Sequence, residues 1–475
     1  MSLKAHASWS AGAAVILTGS RFALSAVLAR RLAADGFGKF AYAQWLVEFC
    51  FLLLALGATG AVSRYAAEFR HDPTRLVGFM RAWRPFARGL PLGAAAAAMS
   101  GAMLAQLGLS DRALVALGIW TFASALWAMQ TAALTGLQRF DLIFKANVLA
   151  ATVMIAGASF LPFERGDPTR AFYVMAVACA CAFLVGFKPV SASARGEASL
   201  LLSAERRRIV GYAINIWLTA ILWNLAWARG EVPVVRAYLG DEGLARYAVA
   251  LTLLGGAMAG VMLGIGGVAP QVTRYLGEGR KDLALQLCRK IGDLQLLTCG
   301  TAALALIWLG PELLRLAFGE EYRWSAHVLS ILALGLPTLA LSMNNHFLQI
   351  TTDSRFNRNA TLVGLAVLYV LALWLVRTRG VEGAALARVA ALWIMALAAI
   401  VVSIAKLKGG GVGLFNIVLV FFISMLSSVL VSVIEDVALI WRVLALLLCM
   451  LGLIFGLRAA DGGLVVNDAF KKLCA

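Results

Sequence analysis

Charged residues disappear from this chain for long stretches, and the spacing of those stretches defines its elements. Uncharged runs extend from Gly89 to Ser110, Ala113 to Gln138, Tyr247 to Thr273, Val328 to Thr352 and Gly409 to Ile434. Each exceeds the ~20 residues that a helix needs to cross the hydrocarbon of a bilayer. Reading these runs with the glycines and prolines between them predicts about fourteen spans, centred near residues 19, 52, 98, 126, 153, 179, 220, 257, 304, 338, 367, 392, 423 and 450. Strand-like alternation is absent, so the spanning form is the helix, which satisfies its own backbone groups in hydrocarbon. The expected fold class is an all-α polytopic membrane protein. The first apolar segment, about Ser8 to Ala29, ends in Arg30-Arg31 with no small-residue cleavage site and is read as a span rather than a removable signal.

The pattern repeats. Asp35-Gly36-Phe37-Gly38-Lys39-Phe40-Ala41 returns 207 residues later as Glu242-Gly243-Leu244-Ala245-Arg246-Tyr247-Ala248. Ser63-Arg64-Tyr65-Ala66-Ala67-Glu68 returns after 210 residues as Thr273-Arg274-Tyr275-Leu276-Gly277-Glu278, and Arg139-Phe140 after 216 as Arg355-Phe356. Two copies of one unit in tandem place the transported species, in many membrane proteins, where the repeats meet. The expected organisation is a first lobe over residues 1–187 with six spans, a basic linker over 188–208, a second six-span lobe over 209–408, two further spans over 409–460 after Gly409-Gly410-Gly411, and a tail over 461–475. Both lobes also carry a segment of helical apolar spacing, Leu76, Met80 and Trp83 in one and Leu283, Leu287 and Ile291 in the other, expected as helices on the inner membrane face.

Composition agrees: 61% of residues are hydrophobic, 14% are charged and the mean hydropathy is +0.83. With the N-terminus inside, 26 of the 42 Lys and Arg fall in cytoplasmic segments and 14 on the opposite side, with Arg21 and Arg388 inside spans. The positive-inside rule then puts both termini in the cytoplasm. The net charge of +17 is thus a consequence of topology, with basic loops facing anionic lipid, and no basic soluble domain exists to bind nucleic acid. Seven cysteines, most of them in spans, give no disulfide framework, and the four histidines have no metal-ligand spacing. No phosphate-binding glycine loop is present, so no cofactor, metal or catalytic residue is expected.

The order "Leu-Ala-Arg-x-Leu, Asp/Glu-Gly-x-Gly-Lys-Phe-Ala, span, Ser-Arg-Tyr-x-x-Glu" resembles the start of bacterial polysaccharide transporters, the flippases for lipid-linked O-antigen and exopolysaccharide units. These belong to the multidrug/oligosaccharidyl-lipid/polysaccharide exporter superfamily. Leu316-Ala317-Phe318-Gly319-Glu320-Glu321-Tyr322 and Gly380-Val381-Glu382-Gly383-Ala384-Ala385-Leu386-Ala387 extend the resemblance over nearly the whole chain. It implies two six-helix lobes in a V-shaped arrangement plus two C-terminal helices, working by alternating access in the bacterial inner membrane. The implied substrate is a polyprenyl-diphosphate-linked oligosaccharide, flipped from the cytoplasmic to the outer leaflet by a monomer that is not an enzyme. Glycosyltransferases and a polysaccharide polymerase are candidate partners.

Such a substrate needs cations for its diphosphate and polar or aromatic groups for its sugars. Arg21, ten residues before Arg31 and hence ~15 Å from its helix end, is the first candidate, because an intramembrane arginine costs roughly 2.5–3.5 kcal/mol on insertion scales. The Ser20-Arg21 pair is also similar to the start of lipid II flippases, in which an arginine of the first helix lines the central cavity. Glu48, on the neighbouring span, offers two further readings: a static buried partner for Arg21, or a protonatable coupling site. Arg388 either faces the cavity or snorkels outward. Trp217, Asn224, Trp227 and Glu231 share one face of the seventh span, suited to sugars or, equally for tryptophan, to the membrane interface. Asn345, Gln349 and Thr352 form a polar face on the tenth, for substrate or for interhelical hydrogen bonds. Two other functions compete: a cation-coupled multidrug antiporter of the same superfamily, against which stands a first span with Arg21 and no acid, and a membrane glycosyltransferase or polymerase, against which stand the short outer loops.

Overall fold

The computed structural model describes residues 3–199, 203–262, 269–341, 355–407, 414–433 and 439–460. The described residues are nearly all helical, with no strand among them, and eight of their helices are long and apolar enough to cross a membrane. This is a multi-pass membrane protein. The chain forms two compact units, Met1–Val232 and Pro233–Ala475.

The first unit contains α1 (Leu3–Ala55), α2 (Ala58–Glu68), α3 (Pro73–Leu104), α4 (Asp111–Gly136), α5 (Phe140–Phe160), α6 (Thr169–Ala192) and α7 (Ser203–Trp223), which runs into a π-helical turn, Asn224–Ala228. Local chemistry sets several starts. Pro73 occupies the first turn of α3 and the Asp72 carboxylate caps it, accepting from the Arg75 N–H at 3.2 Å. The Thr74 hydroxyl donates to the same carboxylate, and these two hydrogen bonds hold it below the usual carboxylate range. Ser110 caps α4 in the same way through the Ala113 N–H. The core is aromatic where α1, α4 and α6 meet: Phe40 stacks on Trp120 at 5.8 Å, and Trp120 on Phe172 at 5.6 Å.

The second unit contains α8 (Val232–Met262), α9 (Ala269–Gly277), α10 (Lys281–Phe318), α11 (Ser325–Ala333), α12 (Arg355–Leu407), α13 (Leu414–Val433) and α14 (Leu439–Ala460). The two C-terminal helices are built into it. Leu296, Leu304 and Trp308 of α10 share one buried cluster with Ile417 and Val420 of α13 and Leu446 and Leu453 of α14. Gly300 permits the approach, since a Cβ there would lie 2.9 Å from Val420 and 3.0 Å from Leu453.

Bends replace loops at three places. Non-helical residues break α1 at Ala33 (φ 60°), α8 at Gly240 (φ 69°) and α12 at Gly380 (φ 61°). The first two are 207 residues apart, the offset of the sequence repeat. In every case an acid follows two residues later, Asp35, Glu242 or Glu382, at the start of the new helix, where carboxylates suit the positive end of the dipole. A glycine follows at the third position, and at two of the bends backbone lies against it: a Cβ on Gly36 would lie 2.9 Å from the Gly166 Cα, and one on Gly383 only 2.0 Å from the Leu375 carbonyl oxygen, whereas at Gly243 it would meet the Leu239 side chain at 2.4 Å. Thus α1 and α12 each hold two of the expected spans, folded back as a hairpin. The Leu76 and Leu283 segments, expected as separate surface helices, are instead the opening turns of α3 and α10. Of the tenth span, α11 and a 3-10 turn, Leu336–Leu341, lie within the described residues.

Helix α7, expected to open the second lobe, packs on the first unit. It crosses a second break in the chain, where Leu56 (φ 46°) and Gly57 (φ 74°) separate α1 from α2. Gly57 is required there, because a Cβ would fall 1.8 Å from the Ala213 carbonyl oxygen. The landmark Ser63-Arg64-Tyr65-Ala66-Ala67-Glu68 clamps the start of α7. Arg64 lies 4.4 Å from the Tyr212 ring centre, the Tyr65 hydroxyl donates to the Arg208 carbonyl at 3.4 Å, and Glu68 pairs with the Arg208 guanidinium. In the second copy the matching groups turn on one another instead: Arg274 pairs with Glu278 at 3.5 Å, and Arg280 lies over Tyr275.

Candidate functional site

The bend at Ala33 returns the second half of α1 alongside the first, and this brings Arg21 and Glu48 together. Arg21 Nη1 and Glu48 Oε1 are 3.8 Å apart, and the two side chains are 44% and 41% exposed. Gln44, one turn before Glu48, donates to the same carboxylate oxygen at 3.4 Å. Both readings of Glu48 as a neighbour of Arg21 are therefore geometrically available, but the pair is neither tight nor sealed. A guanidinium has five N–H donors, and a single 3.8 Å contact leaves most of them for an anion. What stands in this hairpin is an open cation with an adjustable counter-charge.

The expected aromatic face of the seventh span divides into two parts. Trp217 is committed to structure: its indole N–H donates to the carbonyls of Leu52 and Leu53, both at 3.1 Å. These carbonyls lie in the last turn of α1, where intrahelical partners are missing, so the indole serves as a cap supplied by α7. Asn224 and Trp227 lie in the π turn, a local widening that frequently marks functional segments. The Trp227 ring stacks on Trp223 at 5.0 Å with planes 10° apart, and Trp223 is exposed. The Asn224 Oδ1 is buried there with no hydrogen-bond partner. A stacked indole pair with an amide beside it is a surface that can take a planar or sugar-like ring.

Sequence reasoning overlooked Trp223 and Gln44. Both had a signal in i, i+4 spacing, Trp223 to Trp227 and Gln44 to Glu48. In the second unit Arg388 is 4% exposed, eight residues beyond the bend at Gly380, so it is buried among the helices rather than extended outward to the interface. Asn345, Gln349 and Thr352 lie outside the described residues. A tight pair that the sequence did not suggest, Arg236 with Asp241 at 2.6 Å, braces the bend of α8 across Gly240.

Comparison with known proteins places this architecture. Residues 232–375 match the MatE family model. The fold is similar to that of the lipid II flippase MurJ in an inward closed conformation, with a TM-score of 0.67 and 12% identity, over 93% of this chain and 96% of that one. It is similar also to a multidrug resistance MATE family transporter of the MOP superfamily. The inward-facing form gives a TM-score of 0.58 at 14% identity over 86% of this chain and 96% of that one. The outward-facing form gives 0.57 at 15% over 84% and 96%. Among curated proteins none matches the sequence. This chain therefore carries a MatE segment within a fold that it shares with MurJ and with MATE transporters.

Proposed function

We propose that this protein translocates a lipid-diphosphate-linked oligosaccharide from the cytoplasmic to the outer leaflet of a bacterial inner membrane, for polysaccharide assembly. The observation that carries this reading is the open Arg21–Glu48 pair between two arms, residues 7–29 and 40–55, that carry no other charge. A diphosphate oxygen is a stronger partner for the guanidinium than a carboxylate held at 3.8 Å, so substrate displaces Glu48 and recovers the cost of keeping an arginine in hydrocarbon. The Trp223–Trp227 stack and Asn224 supply ring and amide contacts of the type a glycan uses. Similarity to a lipid II flippase over nearly the whole chain supports the same reading, as do helices that expose apolar side chains along which a polyprenyl tail could travel. In this topology both termini are cytoplasmic, and enzymes that build and polymerise the glycan act on either side.

A second reading is favoured by the MatE segment and the MATE-like fold: a cation-coupled antiporter of small amphipathic molecules, with Glu48 as the carboxylate that exchanges a proton. One experiment separates the two. In a strain lacking the gene, the flippase reading expects lipid-linked oligosaccharide to accumulate on the cytoplasmic face while surface polysaccharide is lost. Wild-type protein restores export and Arg21→Ala does not. Unchanged lipid-linked intermediates, with greater sensitivity to amphipathic drugs, would transfer the assignment to the antiporter.

A further inference from the structure

A second basic site lies in the first unit, apart from the Arg21 hairpin. The opening turns of α3, the last turns of α4 and the end of α6 enclose a cavity of about 360 Å³. Its rim carries Arg84 and Arg88 from α3 and Arg195 from the segment after α6, and no acidic side chain lines it. Arg81, nearby, is already engaged with the carbonyls of Ala194 and Gly196, and Arg84 reaches only the Ser191 carbonyl at 3.4 Å. The guanidinium groups of Arg88 and Arg195 make no ion pair or hydrogen bond among the described residues. Three like charges gathered on one rim repel one another unless an anion sits between them.

The inner end of the cavity is the second observation. Gln130 of α4 is 4% exposed, lines the cavity, and has both its amide oxygen and its amide nitrogen without a hydrogen-bond partner. A buried amide is costly in that condition, so the position calls for a ligand group that can both donate and accept. Gly186 of α6 leaves room for this amide, since a Cβ there would lie 2.3 Å from the Gln130 Nε2. Between rim and amide the wall is apolar and aromatic, with Trp83, Met129 and Phe187.

We infer that this cavity binds the head group of an anionic glycerophospholipid, its phosphate held by Arg88, Arg195 and Arg84, its glycerol hydroxyl or ester on Gln130, and its acyl chains along the aromatic wall. The volume suits a head group and leaves the chains in the bilayer. Basic pockets between transmembrane helices on the cytoplasmic side are suited to such lipids. The location in the inner leaflet rests on the topology given under the proposed function; the binding chemistry does not. A free phosphate ion shares the rim chemistry but has no use for the amide or the apolar wall.

The test is native mass spectrometry of the purified full-length protein in detergent, with dioleoyl-phosphatidylglycerol, dioleoyl-phosphatidylcholine or inorganic phosphate added. The wild type should retain phosphatidylglycerol and release phosphatidylcholine, with phosphate failing to compete at millimolar concentration. The double variant Arg88→Gln/Arg195→Gln should retain at least ten-fold less phosphatidylglycerol, and Gln130→Leu several-fold less. The control Lys281→Gln/Lys290→Gln, which removes equal charge from another surface, should behave as wild type. Equal retention by the pocket variant and the wild type overturns the site. Equal loss in the control overturns its specificity, and competition by phosphate overturns the lipid. None of these readouts requires transport, so their failure leaves the translocation proposal standing.

Discussion

At the scale of single residues, the informative question about Arg21 is whether it serves the fold or the substrate. A single contact at 3.8 Å, without the two parallel N–H···O bonds of a close arginine–carboxylate couple, is a weak tie between the arms, so the fold does not depend on it. Exchanging the partners, Arg21→Glu with Glu48→Arg, keeps the pair and moves the cation to the other arm of the hairpin. We expect this double variant to reach the membrane at wild-type level, measured by immunoblot and by its thermal midpoint in detergent, and to restore no polysaccharide export. Recovery of export by the swap would mean that the pair has a structural role only. Ala33 offers a separate test. With φ at 60° and ψ at 174° it occupies backbone space that glycine alone enters freely, and holding a methyl group there costs about 1–3 kcal/mol. The corresponding bends use glycine, Gly240 and Gly380. Ala33→Gly should therefore raise stability by about 1 kcal/mol, less what glycine gives up in the unfolded chain, and a thermal melt would show it.

At the scale of elements, α7 is the helix whose placement has most consequence. It is held to the first unit by a cap, a clamp and a close crossing: Trp217 on the end of α1, the Arg64-Tyr65-Glu68 group on its first turns, and Gly57 against Ala213. Gly57→Ala adds a methyl group where 1.8 Å is available and where φ is positive, so α7 must lift from its seat. The expected outcome is a loss of more than about 1 kcal/mol in stability and faster protease cleavage in the linker before α7, read by limited proteolysis. The sequence made the landmark Arg64-Tyr65-Glu68 visible through its repetition, yet it gave no sign that the first copy holds a neighbouring helix while the second turns inward. That difference depends on Tyr212 and Arg208, which belong to another element. Trp217 was misleading for a similar reason. Spacing put it on one face with Asn224 and Trp227, but its partner is a carbonyl freed by a helix break more than 150 residues earlier.

At the scale of the whole molecule, the features legible in sequence were those written in hydropathy and repetition. The helical class, the runs that became α3 to α6, and the correspondence of Asp35-Gly36 with Glu242-Gly243 all follow from local pattern. The three acid-glycine landmarks coincide with bends because a helix start favours the acid and close packing at the bend favours the glycine. What was not legible depends on three-dimensional assembly: the burial of Arg388, the incorporation of α13 and α14 into the core around α10, and a cavity whose walls come from α3, α4 and α6. Topology gives a prediction at this scale. In the first unit the cavity rim carries Arg84, Arg88 and Arg195, whereas the bend at Ala33 meets the segment around Gly166. A reporter enzyme active only in the cytoplasm should be active when inserted after Gly196 and silent after Arg165. The reverse result would invert the molecule and with it the direction of transport.

The bends also bear on how such a chain enters a membrane in the first place. Where a reversal occupies one residue, as at Ala33, the charged segment to be passed across the bilayer between two spans is short, Arg30 to Lys39. The two arms must partition from the insertion machinery as one hairpin, and in that hairpin Arg21 already faces Glu48. The arginine therefore reaches lipid with a carboxylate beside it rather than as a bare charge, which lowers the cost of its biogenesis. Lengthening the turn at Ala33 would uncouple the arms, and the first span would then have to carry its charge into the bilayer unaided.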